Sequence, residues 1–469
     1  MPEPVDIPPV GAERLRDVLS DEQLRRFQAG VEDARALLDG RTVWNVNSTA
    51  KGGGVVELLR PLVGYARGIG IDCRWQVIGG SPEFFDVTKR LHNRLHGAEG
   101  DGRPLDDAAR RIYERTLQGE AGALAALLGE RDVVILHDPQ TAGLVEPLRR
   151  TGAKVIWRCH IGLDEPNDTV RGAWAFLHPY VQHADAFIFS RAAFAWDQLD
   201  SSRIHLIAPS IDAFAPKNQD LDGETVRAVL LASAIVRDGG RPEAATFARH
   251  DGSPGRVTRR ADVFEDAPLG PDDPVVVQVS RWDELKDPLG VIRGFAEHVS
   301  DAHLVYAGPA VAAVADDPEG GKVLEEAQEL RERMPAEPRG RLHLACLPMD
   351  DAEENAIIVN ALQRHARVVV QKSIAEGFGL TVAEAMWKAR PVVASRIGGI
   401  QDQIDDGECG VLLDDPRDLA AFGDAVAGLL ADRERAERMG DAARERVRSD
   451  FLSSRSLLDY LRVIRAVLC

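Results

Sequence analysis

Two glutamates flank a glycine turn in the second half of the chain. Glu376 precedes Gly377-Phe378-Gly379, and Glu384 follows after seven intervening residues, on an alanine-rich stretch. Carboxylates accept hydrogen bonds from the vicinal hydroxyls of ribose or a hexose, and the first turn of a helix offers unpaired N–H groups to an anion. The pattern therefore indicates a site for a nucleotide diphosphate and a sugar. The alternative is that Glu376 is a solvated loop charge and Glu384 an ordinary residue on a helix face.

A pair of cations follows the apolar run PVVVQVS. Arg281 and Lys286 stand five positions apart in SRWDELKD, where the pattern changes from strand to helix. Two cations around such a turn can converge on one anion at the start of a helix. A surface loop also contains Arg and Lys, but the glutamate pair three strands later favours the binding interpretation.

A glycine loop lies near the start of the chain. The strand pattern RTVWNVNST is followed by AKGGG, with glycine at 52, 53 and 54, and then by the helical pattern VVELLRPLVGYARGIG. Without Cβ atoms, a backbone can approach a phosphate closely and present its N–H groups. The loop matches neither the Walker motif nor GxGxxG. A tight turn that needs positive φ explains the glycines equally well.

Strand and helix patterns alternate through both halves of the chain and must position these residues. Such alternation predicts two doubly wound parallel sheets, each covered by helices on both faces, with a ligand cleft between them. We expect one Rossmann-like domain over 1–212 and a second over 271–450. Glu376 then lies beyond the carboxyl end of the strand ARVVVQKS, and a helix over 381–388 carries Glu384.

The segment 213–270 differs in composition from the rest of the chain, since it is rich in Gly, Pro and charged residues. It is long for a linker, and we interpret it as a hinge and an insertion. Its cluster of Arg256, Arg259 and Arg260 is interpreted as solvated surface. The final helix, at about 451–469, has an apolar stripe and is expected to pack back against the first domain.

Composition excludes several classes of protein. The 469 residues carry a net charge of −18, which disfavours nucleic acid or an anionic membrane surface as a partner. The five cysteines are scattered without CxxC spacing, so neither a disulfide framework nor a zinc site follows. No apolar run reaches membrane-spanning length, and the start of the chain lacks the pattern of a signal peptide. We therefore expect a soluble, cytoplasmic protein.

These motifs together resemble the retaining glycosyltransferases of the GT-B architecture, the family that includes sucrose synthases and bacterial glycogen synthases. Within that family, VNSTAKGGGVVELLRPLV, LHDPQTAGL, WRCHIGLDEPN and SRWDELKDPLGVI look like the trehalose glycosyltransferring synthases and the related trehalose phosphorylases. The resemblance implies that the first domain recognises the acceptor and the second binds the nucleotide sugar.

The resemblance also implies roles for individual residues. Arg281 and Lys286 neutralise the donor diphosphate, Glu384 accepts the ribose hydroxyls, and Glu376 holds hydroxyls of the donor sugar. His160 contacts the donor hexose near the anomeric centre. The residues that it places around the donor are Gly53, Gly54, Arg281, Lys286, Glu376, Gly377, Phe378, Gly379, Leu380 and Glu384. His137 and Asp138 are implied on the acceptor side, and Arg158 is implied as a further substrate-binding residue.

The activity implied is reversible transfer of glucose from a nucleoside-diphosphate-glucose to glucose, which forms trehalose with retention at the anomeric carbon. No metal and no prosthetic group are implied, because cationic side chains neutralise the leaving diphosphate. The alternatives are a trehalose phosphorylase that uses inorganic phosphate and glucose 1-phosphate, a retaining glucosyltransferase with another small acceptor, and a catalytically silent GT-B protein. The expected partners are a sugar acceptor and a nucleotide sugar, and a homodimer is possible. The nucleotide base is left open.

Overall fold

The computed structural model describes residues 2–51, 53–311 and 318–469. The chain divides into two compact units, Met1–Ser210 with Phe451–Cys469, and Ile211–Asp450. Each unit contains a seven-stranded sheet. Among the described residues, no helix combines the length and the apolar character that crossing a membrane requires.

The sheet of the first unit is parallel except at one edge, where β1 pairs antiparallel with β3. Its strand order is β1-β3-β2-β4-β5-β6-β7. The strands are β1 (Glu3–Val5), β2 (Val43–Asn47), β3 (Cys73–Val77), β4 (Val133–His137), β5 (Lys154–Cys159), β6 (Ala186–Phe189) and β7 (Ile204–Leu206). The helices are α1 (Asp21–Leu37), α2 (Gly54–Gly68), α3 (Pro82–Leu95), α4 (Asp107–Ala125), α5 (Val145–Arg149) and α6 (Asp168–Val181).

The central strands of this sheet are buried along their whole length. Strands β2 and β4 have no exposed position, because a parallel sheet covered on both faces buries both sets of alternating side chains. Large aromatic side chains such as Trp157, Trp174 and Phe187 fill the space between sheet and helices. The chain turns back after β3, so β2 and β4 are neighbours at the point where the strand order reverses. The carboxyl ends of strands at such a point form the usual binding crevice of an open α/β sheet.

The second sheet is also mainly parallel, with the order β10-β13-β12-β11-β14-β15-β16. Here the order reverses between β11 and β14. The strands of this unit are β8 (Thr246–Ala248), β9 (Pro254–Arg256), β10 (Asp262–Phe264), β11 (Val275–Val279), β12 (His303–Pro309), β13 (Leu342–Leu347), β14 (Val368–Gln371), β15 (Val392–Ser395) and β16 (Val411–Leu413). Its helices are α7 (Gly223–Ala232), α8 (Pro288–His298), α9 (Pro318–Glu332), α10 (Ala336–Arg339), α11 (Ala352–His365), α12 (Leu380–Trp387), α13 (Ile400–Gln403), α14 (Leu419–Ala431) and α15 (Arg433–Asp450).

Residues 213–270 are part of the second unit, which differs from the separate hinge and insertion that we expected. Helix α7 packs against α11, and β10 extends the sheet by pairing antiparallel with β13. Arg259 is not simply solvated, since its guanidinium pairs with the buried carboxylate of Glu354. Arg256 and Arg260 are exposed. The apolar positions of the segment are thus used within the unit, although its composition resembles that of a loop.

The last helix, α16 (Ser453–Leu468), belongs to the first unit and contacts α1 and α2. Leu457, Tyr460 and Ile464 on its apolar stripe are buried. The stripe is therefore covered by the helices at the start of the chain, from which it is remote in sequence.

Candidate active site

In the first unit, two histidines meet at the carboxyl ends of neighbouring strands. His137 ends β4, and His160 follows the last residue of β5. Nδ1 of His137 lies 3.3 Å from Nε2 of His160, and the two rings are nearly parallel, with centroids 5.6 Å apart. Nε2 of His137 lies 3.1 Å from Oδ1 of Asn45 on β2.

This chain of contacts determines which ring nitrogens carry protons. An amide oxygen only accepts hydrogen bonds, so Nε2 of His137 donates to Asn45 and Nδ1 of His137 accepts from Nε2–H of His160. Burial, with the charge of Arg158, lowers the pKa of His137 to about 3. Burial and the charges of Arg158 and His137 lower the pKa of His160 well below its ordinary value. Both rings are therefore neutral near pH 7, and Nδ1 of His160 is a lone-pair acceptor.

Asp138 holds the backbone of this site. It has a φ of 64° between β4 and the following turn, and its Oδ1 accepts the backbone N–H of His160 at 2.8 Å. Burial raises the pKa of Asp138 to about 7. Its backbone N–H donates to the carbonyl of Arg158 at 2.7 Å. The contacts of Asp138 therefore position His160 relative to the strand.

Arg158 is buried beneath the same strand ends. Its guanidinium donates to the hydroxyl of Tyr460 on α16 and, at 3.2 Å, to the carbonyl of Ile207. Its Cζ lies 4.9 Å from the centre of the Tyr460 ring. In this structure Arg158 supplies positive charge from within the unit, and the last helix holds it in place.

The glycine loop precedes α2. Gly53 has a φ of 82° and caps the helix, whose first residue is Gly54, and both are exposed. Gly52 lies outside the described residues. The positive φ is sufficient reason for glycine at 53, since a Cβ there would meet open space. Contact of this loop with a phosphate stays a prediction.

In the second unit, Lys286 and Glu376 form an ion pair at the reversal of strand order. Lys286 ends a short 3-10 turn after β11, and Glu376 follows β14. Nζ of Lys286 lies 2.6 Å from Oε2 of Glu376, and each side chain is 15% exposed. A cation and a carboxylate thus lie together where parallel strands leave a crevice.

Arg281 does not join this pair. Its side chain is 65% exposed and is bound to Asp283 at 2.7 Å. The two cations that we expected to act together are therefore held by different carboxylates.

The glycine turn after Glu376 is held by hydrogen bonds from residues 399–403. Gly379 has a φ of 80° and precedes Leu380, the first residue of α12. Nε2 of Gln403 donates to the carbonyl of Phe378 at 2.5 Å, and the N–H of Gly399 donates to the carbonyl of Gly377 at 2.8 Å. These contacts fix the peptide planes of the turn, and with them the direction of its N–H groups.

Glu384 lies on the buried side of α12 and is only 2% exposed. Its Oε1 is 3.5 Å from Nζ of Lys217. Lys388, one helical turn further on, donates to the backbone carbonyl of Glu384 at 2.9 Å and to Oδ1 of Asn218 at 3.3 Å. Burial lowers the pKa of Lys388 well below its ordinary value, and the charge of Glu384 opposes that shift. The carboxylate of Glu384 therefore lies beside Lys217, while Lys388 binds its backbone carbonyl.

Comparison with known proteins identifies the family. Residues 45–196 match the family described as trehalose synthase, N-terminal domain, and residues 260–446 match glycosyl transferases group 1. The trehalose synthase of Rubrobacter xylanophilus is 37% identical over 454 residues, which cover 95% of each chain. An alpha,alpha-trehalose-phosphate synthase (UDP-forming) from Burkholderia xenovorans has the same fold, with a TM-score of 0.65 and 15% identity over 91% of this chain and 99% of that one.

The chain belongs to the trehalose synthase family of GT-B glycosyltransferases. The predicted fold class and the predicted family are thereby confirmed. The trehalose phosphorylase of Pleurotus pulmonarius is a more distant relative, 26% identical over 86% of this chain and 54% of its own length. Both predicted groups of site residues, around His160 and around Glu376, lie within the two matched segments.

Several residues at the candidate sites of this trehalose synthase family member were not predicted from the sequence. Asn45 is one, and its signal is that β2, although fully buried, contains two asparagines, Asn45 and Asn47. Lys388 could have been found from its i, i+4 spacing to Glu384. Lys372 is fully buried at the end of β14 and pairs with Asp287, which caps α8. No local pattern marks Lys217, which is far from Glu384 in sequence. Among the described residues, no group of three or more His, Cys, Asp or Glu side chains could hold a metal ion.

Proposed function

We propose that this glycosyltransferase forms trehalose from a nucleoside-diphosphate-glucose and glucose, reversibly and with retention at the anomeric carbon. Trehalose-related glycosyl transfer follows from the family. The single observation that carries the finer proposal is the Lys286–Glu376 pair at the strand-order reversal of the second unit. That position suits a diphosphate sugar, because one partner is cationic and the other accepts hydroxyl protons.

The chemistry asked of Lys286 is stabilisation of the leaving group. When the bond between the anomeric carbon and the diphosphate oxygen breaks, negative charge develops on the diphosphate, and an ammonium group held in place lowers the energy of that state. The contact with Glu376 orients Lys286 before the donor arrives. Arg281, which is exposed and on the same turn, is proposed to reach the diphosphate by exchanging Asp283 for phosphate oxygens.

The remaining steps balance without an added acid or base. The acceptor hydroxyl oxygen bonds to the anomeric carbon on the face that the diphosphate leaves, and its proton passes to a diphosphate oxygen. Glu376 accepts hydrogen bonds from hydroxyls of the glucose being transferred. His160, neutral and with Nδ1 free to accept, is proposed to receive a hexose hydroxyl. Glu384 is proposed to accept the ribose hydroxyls in place of its contact with Lys217.

The proposal is tested in the direction of trehalose cleavage. Purified protein is incubated with trehalose and separately with ADP, UDP, GDP or inorganic phosphate, and the sugar product is identified by chromatography and by NMR of its anomeric proton. We expect α-linked nucleotide-glucose from at least one diphosphate, and the productive tube identifies the base. Glucose 1-phosphate from inorganic phosphate alone would replace the proposal by a phosphorylase. Absence of product from every tube, with glucose and each nucleotide-glucose also unreactive in the forward direction, would overturn it.

A further inference from the structure

A pocket of about 290 Å³ lies in the second unit. It is at the amino ends of the sheet strands, whereas Lys286 and Glu376 follow their carboxyl ends. Arg364 and His365 end α11 just before β14 begins, and Arg390 stands just before β15. Arg227 contributes from α7, and the apolar lining includes Leu221 and Val226. We call this site the arginine pocket. Because it is at the amino ends of the strands, it is distinct from the proposed donor site at their carboxyl ends.

The arginine pocket concentrates positive charge in a protein whose net charge is −18. Arg227, Arg364 and Arg390 line it. Arg367 lies close enough to act electrostatically on His365 and Arg390, and Arg444 acts on Arg364. Like charges brought together without a ligand repel one another, so folding them into one pocket is costly. An anion in the pocket would remove that cost.

The acidic groups nearby offset only part of this charge. Asp220 pairs with Arg364 at 2.9 Å, but the Asp220 side chain is 83% exposed, so water and salt screen the pair. Asp272 acts on His365, and Glu437 acts on Arg390. The pair with Asp220 therefore offsets only a small part of the positive charge of the arginines that line the pocket.

His365 adds a polar atom that a ligand could satisfy. Its Nε2 is hidden from solvent and has no hydrogen-bond partner in the described part of the chain. Burial, and then the charges of Arg367, Arg227 and Arg390, lower the pKa of His365. A phosphate oxygen beside the ring would provide either a hydrogen-bond acceptor for N–H or, as a protonated oxygen, a donor.

We propose that the arginine pocket binds a small phosphate-bearing anion, either inorganic phosphate or a phosphate monoester. Arginine forks match the geometry of phosphate oxygens, and the pocket is at the small end of the range of ligand sites in proteins. Arg364 donates to Oδ1 of Asn360 at 2.9 Å and to the carbonyl of Gln219 at 3.1 Å, and these contacts hold its guanidinium in place at the pocket. This binding site does not depend on the proposed glycosyl transfer.

Isothermal titration of the full chain at fixed chloride concentration tests the proposal, with inorganic phosphate, glycerol 3-phosphate and glycerol as probes. Arg227 is exposed, so its variants should fold, which circular dichroism and the unfolding midpoint will verify. We expect R227Q to weaken phosphate binding at least about tenfold, the value of one charge-assisted hydrogen bond, and R227E to weaken it further. The matched controls R293Q and R293E change an exposed arginine on α8 and should bind as the native protein does.

The variant K286M separates this site from the donor site, and it should retain the interaction that R227Q loses. Equal affinity for the two phosphates would identify the phosphate group itself as the ligand, and tighter binding of glycerol 3-phosphate would identify a monoester. Glycerol should not bind. The proposal is overturned if the native protein binds neither phosphate, if the Arg227 variants bind both unchanged, or if K286M alone abolishes binding.

Discussion

Replacing Lys286 by methionine tests the central ion pair while keeping most of the side-chain volume. The substitution removes the ammonium group 2.6 Å from Glu376. If this cation stabilises the leaving diphosphate, its loss is felt mainly in the transition state, where the charge develops. We therefore expect the substitution to raise the activation free energy more than it lowers the unfolding free energy.

The two magnitudes can be set against each other. The gross attraction of the pair at 2.6 Å is about 6 kcal/mol at an effective dielectric constant of about 20. Desolvation cancels most of it, so the unfolding free energy should drop by about 1–2 kcal/mol, since Glu376 is left unpaired but still partly hydrated. One lost contact to a developing charge lowers kcat about 10²–10³-fold, or about 3–4 kcal/mol. The catalytic effect should thus be about twice the stability effect.

The assay is steady-state synthesis of trehalose from the productive nucleotide-glucose, with urea denaturation of the same samples. The matched control is K322M, which removes a lysine from an exposed i, i+4 pair with Glu326 and should change neither quantity appreciably. E376Q and the double variant K286M/E376Q complete a double-mutant cycle. A kcat for K286M within about threefold of the native value would refute the assigned role, because one lost donor at a developing charge costs far more.

Three further predictions concern the first unit. Because the pKa of Asp138 is raised to about 7 from an ordinary 3.8, the native state binds more protons in that interval, so stability falls as pH rises from about 4 to about 7. The D138N variant lacks this pH dependence. In urea denaturation, the unfolding free energy of D138N relative to that of the native protein should therefore rise by about 1–3 kcal/mol between about pH 5 and pH 8. An unfolding free-energy difference that stays constant with pH would contradict the burial argument. Y460F leaves a buried donor of Arg158 unpaired and should lower the unfolding free energy by about 1–3 kcal/mol in urea, whereas an unchanged midpoint would mean that the hydroxyl contributes nothing. N45A removes the acceptor that sets the tautomer of His137 and should reduce kcat about tenfold in the synthesis assay, the value of one hydrogen bond. Full activity would show that the contact between Asn45 and His137 does not contribute to catalysis.

The predicted site residues that the structure brings together in the second unit lie on short segments of the chain. Lys286 follows a strand by a few residues, as does Glu376, and strand-turn-helix patterns are visible in local periodicity. The alternation of these patterns also sufficed to predict two parallel sheets. The contact between Lys286 and Glu376 then follows from topology, because β11 and β14 are neighbours where the strand order reverses.

Prediction was weaker where the composition of a segment and its packing disagree. Residues 213–270 were predicted to form a hinge and an insertion, because Gly, Pro and charged residues are frequent there. In the structure α7 and β10 from this segment complete the second unit, and Lys217 lies against Glu384. A loop-like composition reports weak local preference, and burial against distant elements can override it.

By itself, then, the sequence determined the fold class and the chain positions of the charged motifs, since both depend on patterns within a few residues or a single turn. The family was predicted from the resemblance of those motifs to known proteins. Only the tertiary structure decided the partners of those charges. Arg158 meets Tyr460 across 302 positions, and His137 meets Asn45 across 92. Such contacts are determined by which strands become neighbours and which faces are buried, and this depends on the packing of the whole unit, for which no local pattern carries the information.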